Sequence, residues 1–220
     1  MQALQDRDIK GFTLLELLVV ITIVAIVSAV GYPNFMDWRE DRELRAATEK
    51  VGAMITNINT QLQRGNFQYV QLQIRPIGTT ETNFYSKGMY QDTFSDIIGD
   101  SNKTLDCRLV NSGYWDEHKV EETTKAVSVH INGDGSVCFS KDGSKFKTSG
   151  KLDSNINIKI AEQTKDDYVI ICTTSNAKNS GGKCGVNKAS GLEKPAYLVL
   201  WSRFGTVKKY KWSGNDWTTQ

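Results

Sequence analysis

Hydrophobic and polar positions divide this chain of 220 residues into three zones. The first eleven residues, MQALQDRDIKG, are polar, and their charges cancel. A sharp boundary follows: Phe12 to Val30 reads FTLLELLVVITIVAIVSAV, nineteen residues with one charge, Glu16. As a helix rising about 1.5 Å per residue, this run would cover roughly 28 Å, close to the ~30 Å hydrocarbon core of a bilayer. Gly31-Tyr32-Pro33 interrupts it, and Pro33, lacking a backbone donor, is expected to break or kink the helix there. The charged stretch Asp37 to Glu43 comes next. Leu44, Ala47, Val51, Met54, Ile55, Ile58 and Leu62 then recur mostly at spacings of three and four, the signature of an amphipathic helix docked on a core. Gly65 is the expected stop. The pattern predicts one helix over 12–64, membrane-spanning over 12–30.

From residue 65 to 220 the period changes from helical to β-like. Val70, Leu72 and Ile74 alternate with glutamines. Val127, Val129 and Ile131 alternate with Ser128 and His130, and Ile156, Ile158 and Ile160 with Asn157 and Lys159. Denser runs, Tyr168 to Cys172 and Tyr197 to Trp201, predict more deeply buried strands. Asn132-Gly133-Asp134-Gly135 and Asp142-Gly143 are hairpin-type turns. The stretch 76–125 is less regular and reads as an insertion with one or two short elements. The predicted class is α+β: a long N-terminal helix packed on an antiparallel β-rich head.

Composition narrows the function. Hydrophobic residues make up 39% of the chain and its net charge is +2, which excludes general disorder and a polybasic binder. With two histidines, His118 and His130, and no nucleophile motif, no catalytic constellation is visible, and no enzyme activity is expected. Gly133-Asp134-Gly135 is a fragment of a calcium loop without its spacing or terminal Glu, so neither a metal nor a cofactor is expected. Glu16 is the informative residue. A lone acid in an apolar run costs a few kcal/mol unless it reaches an interface or meets a cation.

Lys10-Gly11-Phe12-Thr13-Leu14-Leu15-Glu16-Leu17 resembles the processing site of type IV pilins and type II secretion pseudopilins. The resemblance implies a leader over 1–11, cut between Gly11 and Phe12 by a prepilin peptidase that also methylates the new amine of Phe12. Glu16 would then be the fifth residue of the mature chain, neutralised by a neighbour's Phe12 amine, so that the pair enforces register between subunits. A chain of this kind would cross the bacterial inner membrane once, with its head in the periplasm. It would then move through an inner-membrane assembly platform into a periplasmic or extracellular filament of like subunits. The competing readings are an ordinary secretory signal, against which the charge inside the apolar run counts, and a signal-anchored periplasmic protein.

Within that class, Asn34-Phe35, Arg42-Glu43-Leu44-Arg45-Ala46-Ala47 and Gln63-Arg64-Gly65 leading into Val70-Gln71-Leu72 are similar to GspH/FimT-type minor pilins and pseudopilins. So is the ending, Leu198 to Lys208, although Thr206 stands where those proteins often carry an arginine. The resemblance implies a β-sandwich head and the role of minor pilin or pseudopilin. The alternatives are a major pilin and a minor pilin that binds DNA for uptake. The cations for DNA would be Arg203, Lys208, Lys209 and Lys211, with Trp212 and Trp217 for base stacking. An edge strand guarded by lysines, its aromatics buried in the head, is the favoured reading of the same residues. Cys107, Cys138, Cys172 and Cys184 all lie in the head, which this topology puts in an oxidising compartment, so disulfides are expected. Three pairings are possible. Cys172–Cys184, closing the Asn/Ser/Gly-rich loop 173–183 as pilins tend to near their C-terminus, is preferred, with Cys107–Cys138 by elimination.

Overall fold

The computed structural model describes residues 11–78, 81–101, 105, 107, 117–125, 129–132, 135–143, 158–160, 163–165, 168–179, 181–185, 195–214 and 216–220, with 30, 33, 34, 117–125, 132, 158–160 and 163–165 described by backbone alone. Residues 1–10 of the expected leader 1–11, the strand starts at Val127 and Ile156 and the turn residues Gly133 and Asp134 lie outside these residues. The first helix, α1, spans Leu14–Gln63. The chain divides into two compact units, with the boundary between Arg39 and Glu40.

In the first unit, none of the described helical side chains is buried: Leu14 is 82% and Ile23 55% exposed. A helix so apolar on every side cannot settle one stripe on a core and leave another to water. Among the described residues no helix is long and apolar enough to cross a membrane. The described side chains of the run stop at Ala29, so the nineteen-residue span is a property of the sequence. Helical backbone continues through Pro33, which corrects the expected break. A proline removes one hydrogen bond of the ladder, and the turns on either side keep theirs.

In the second unit, the predicted stripe of α1 is the core. Leu44, Ala47, Val51, Ile55, Ile58 and Leu62 are all buried. Gly65 ends the helix at φ +82°, a left-handed conformation that spares glycine the Cβ penalty, and its amide donates to the Leu62 carbonyl at 3.0 Å. Two antiparallel sheets then pack on this stripe. The first has the order β3 (Glu117–Lys125), β2 (Glu81–Met89), β1 (Tyr69–Ile77), β5 (Gly135–Ser140). The second runs β11 (Trp217–Thr219), β10 (Val207–Trp212), β9 (Tyr197–Trp201), β8 (Tyr168–Thr173), β4 (Val129–Asn132). Consecutive strands β4 and β5 thus belong to different sheets. The period of two sends Val70, Leu72, Ile74, Phe84, Val137 and Phe139 of the first sheet into the same cluster as Ile131, Val169, Ile171 and Val199 of the second. A separate pair, β6 (Ile158–Ile160) and β7 (Gln163–Lys165), is also antiparallel.

The expected class, α+β with antiparallel sheets, is the observed one. The stretch 76–125 is more regular than its composition suggested. It supplies β2, β3 and a second helix, α2 (Gln91–Gly99). Strand β2 escapes a hydrophobic reading because its core-facing positions are Thr82, Phe84, Ser86 and Gly88, only one of them large and apolar. Gly88 is small for a reason: a Cβ there would stand 2.4 Å from the Phe67 ring. Strand β3, EHKVEETTK, ends the first sheet, where a charged sequence discourages further pairing. A third helix, α3 (Thr174–Asn179), occupies part of the loop expected after Cys172.

Candidate functional site

The start of α1 holds three of the residues singled out from the sequence. Gly11 and Phe12 precede the helix in non-helical backbone, and no other part of the described structure lies within 4 Å of where a Cβ on Gly11 would be. Both residues are exposed. Thr13 then caps the helix. Its hydroxyl accepts the Glu16 amide at 3.2 Å, while the Glu16 carboxylate accepts the Thr13 amide at 3.0 Å and the Thr13 hydroxyl at 3.1 Å. This reciprocal capping box satisfies two donors that a helix start otherwise leaves without partners. The T-x-x-E spacing that produces it, Thr13-Leu14-Leu15-Glu16, is the local signal for it in the sequence. Glu16 therefore has a role inside its own chain: its carboxylate is held on the Thr13 amide, one residue beyond Phe12.

The C-terminal strand is the second group. Strand β10 is paired on both sides, by β9 and β11, which corrects the reading of an edge strand. Its residues alternate as strand geometry requires. Tyr210 and Trp212 pack against a second buried cluster, formed by Tyr168, Ile170, Leu198 and the Cys172–Cys184 bridge, together with Trp217. The rings of Trp212 and Trp217 lie 5.2 Å apart. Lys209 and Lys211 face the other way, toward α1. Lys209 pairs with Glu49, and Lys211 reaches Asp41 at 2.9 Å. Tyr197 of β9 donates its hydroxyl to the same Asp41 carboxylate at 2.8 Å, and the Lys211 ammonium lies 5.6 Å from the Tyr197 ring centre.

The titration of this cluster follows from its geometry. Burial pushes the Tyr197 phenol above its usual value, and the hydrogen bond to Asp41 adds to that. For Lys211, partial burial works to lower the value, but the hydrogen bond and attraction of Asp41, together with Tyr197, outweigh it and raise it.

Of the four cations considered for DNA, two are thus engaged with carboxylates on α1. Arg203 and Lys208 are exposed. Arg203 lies over the Phe204 ring at 4.7 Å, in the turn between β9 and β10. That turn is docked on the helix. Asn59 donates to the Phe204 carbonyl at 3.1 Å, and Gly205, at φ +79°, leaves no room for a Cβ beside Asn59. Among the described residues, no three of His, Cys, Asp and Glu gather as a metal site would require.

Both preferred disulfides are formed, Cys107–Cys138 and Cys172–Cys184. The second lies in the buried cluster behind β10. Asn176 of α3 completes the loop, its side chain donating to the Gly185 carbonyl and accepting the Gly185 amide, at 3.2 and 2.9 Å. The first bridge holds Cys107 over the outer face of β1, where the otherwise costly buried amide of Gln71 donates to the Cys107 carbonyl.

Known proteins resemble part of this chain. Residues 6–32 match the family described as the prokaryotic N-terminal methylation motif. A fimbrial protein of Pseudomonas aeruginosa is 28% identical over 92 residues, 42% of this chain and 56% of that protein. A fimbrial protein of Moraxella nonliquefaciens is 36% identical over 56 residues, 26% of this chain and 36% of that one. The type IV major fimbrial protein FimA of Dichelobacter nodosus is 28% identical over 104 residues, 46% of this chain and 62% of its own length. The chain thus spans only about a third to three-fifths of the length of these curated relatives. No solved structure matches it.

Proposed function

We propose that this type IV pilin-like chain is a structural subunit, a minor pilin or pseudopilin, of a type IV pilus or type II secretion filament. One observation carries the reading. The segment that matches the methylation motif exposes an apolar helix, led by the accessible Gly11–Phe12 bond and carrying Glu16. Such a surface is suited to lipid first and to other helices later. The proposed sequence of events starts with the run 12–30 in the inner membrane and the head in the periplasm. A prepilin peptidase cuts after Gly11 and methylates the Phe12 amine. The helix then leaves lipid, through an inner-membrane assembly platform, for a bundle of like helices.

Glu16 is costly in either apolar setting unless it is paired. The capping box lowers that cost within one chain. In the bundle, the Phe12 amine of a neighbouring subunit supplies a full positive charge, which a backbone amide does not. Exchange of the Thr13 contact for that amine would make each junction specific. The similarity to a major fimbrial protein keeps the major-pilin role as the alternative, and abundance in sheared filaments separates the two. DNA binding through Arg203 and Lys208 is the weaker reading, since Lys209 and Lys211 already have acidic partners.

Mass spectrometry of the chain from a host with its own peptidase tests the proposal. The expected N-terminus is N-methylated Phe12. An intact Met1 in membranes that process other prepilins would overturn it.

A further inference from the structure

Along α1 the hold of the head on the helix begins abruptly. No described side chain from Phe12 to Glu43 is buried, and Leu44 is completely so. Three residues before Leu44 stands Asp41, whose carboxylate takes the Tyr197 hydroxyl at 2.8 Å and the Lys211 ammonium at 2.9 Å. Tyr197 belongs to the central part of the second sheet, between β8 and β10, and is itself buried, so its hydroxyl is aimed from a fixed ring. Lys211 is fixed by the pairing of β10 with both neighbours. Two turns further on, Glu49 takes Lys209 from the same strand face.

Amphipathic packing alone would let the helix fray up to its first buried side chain and a little beyond, because a terminal apolar contact is lost as soon as its own turn opens. A carboxylate bound by two donors from different strands behaves differently. Bonds to a charged group are the stronger kind, and these two must break together for the turn to open.

We propose that Asp41, Tyr197 and Lys211 form a latch that fixes the N-terminal limit of the head-bound part of α1. Unwinding that starts on the Pro33 side stops at Asp41, and opening of the latch frees the next turn of the helix and the end of β10 together. Glu49 with Lys209 is the second stop. The latch lies wholly within the second unit and acts whether or not the chain joins a filament, so its test is separate from that of the proposed function.

The experiment is hydrogen–deuterium exchange on the full chain in detergent micelles, read residue by residue over 31–50 and 207–212. In the wild type, amides up to about residue 41 exchange fast and those from Leu44 onward slowly. In Asp41→Asn, exchange over 42–47 and 209–212 rises about tenfold or more, while β8 keeps its protection. Tyr197→Phe, which removes only the hydroxyl, gives the same pattern with a smaller rise. If Asp41→Asn loosens the whole head, Tyr197→Phe alone decides. Rates over 42–47 within about twofold of wild type in the intact variants would overturn the latch and leave Leu44 packing as the limit of the bound helix.

Discussion

The two parts of one helix, α1, differ in almost every property that decides burial. From Leu14 to Ala29 large apolar side chains point in all directions and every described one is exposed. From Leu44 to Leu62 they recur on one stripe, and that stripe is the centre of the head. Apolar content alone would make the first part the better core. Arrangement decides otherwise: a helix apolar on all sides needs partners on all sides, and the head offers one surface. The first part therefore leaves its apolar side chains exposed, while the second is satisfied within its own chain.

Substitutions at equivalent apolar residues give the sharpest form of this contrast. Ile55→Ala should destabilise the head by about 2–5 kcal/mol, since it leaves a cavity under both sheets. Ile23→Ala should leave head unfolding unchanged, because Ile23 is exposed and belongs to the other compact unit. Chemical denaturation followed by tryptophan fluorescence, in detergent, separates the two. Equal effects would break the comparison.

The bridges give the next largest effect. Replacing Cys172 and Cys184 by serine removes a link between residues 12 positions apart, worth roughly 3 kcal/mol in the chain-entropy account. The second cluster, behind β10, should loosen first, and Trp212 and Trp217 emission should shift before the α1 side of the sheets changes.

Much of this division was legible from the sequence because it rests on periodicity. The apolar run, the stripe and the strands β1, β8 and β9 follow from spacing alone. Strands β2 and β3 did not, since one uses Thr, Ser and Gly against the core and the other carries mostly charges. The glutamines of β1 alternate with its apolar residues, yet Gln71 and Gln73 are buried as well. Gln71 is covered through a cysteine thirty-six residues away, a contact no local pattern encodes. The cations of β10 were visible as charges, but their partners Asp41 and Glu49 are far off in sequence. Only the fold tells a lysine that fastens a helix from one that awaits a phosphate.

That fastening predicts a pH dependence. Tyr197 and Lys211 both hold their protons more tightly in the folded head than in the unfolded chain, where they titrate near 10.0 and 10.5. Their contribution to stability is therefore complete below about pH 10 and is lost as the pH rises through their raised values. Thermal unfolding scanned from pH 8 to 11.5 should show a fall beginning near pH 10, and Tyr197→Phe should make that fall shallower. The smallest effect belongs to the other end of α1. Thr13→Ala should weaken the helix start by about 1 kcal/mol, seen as fraying of residues 14–17 by nuclear magnetic resonance in micelles, with no change in the head.

The division of labour along α1 is tested most directly by Glu16→Ala in a host that assembles the filament, with incorporation and head stability measured on the same protein. Among the described residues Glu16 bonds to Thr13 alone, so the melting temperature of the head should stay at the wild-type value. Incorporation into sheared filaments should fall to a small fraction of wild type. A variant that assembles at the wild-type level would contradict the account, since the charge in the apolar helix would then have no part in joining subunits.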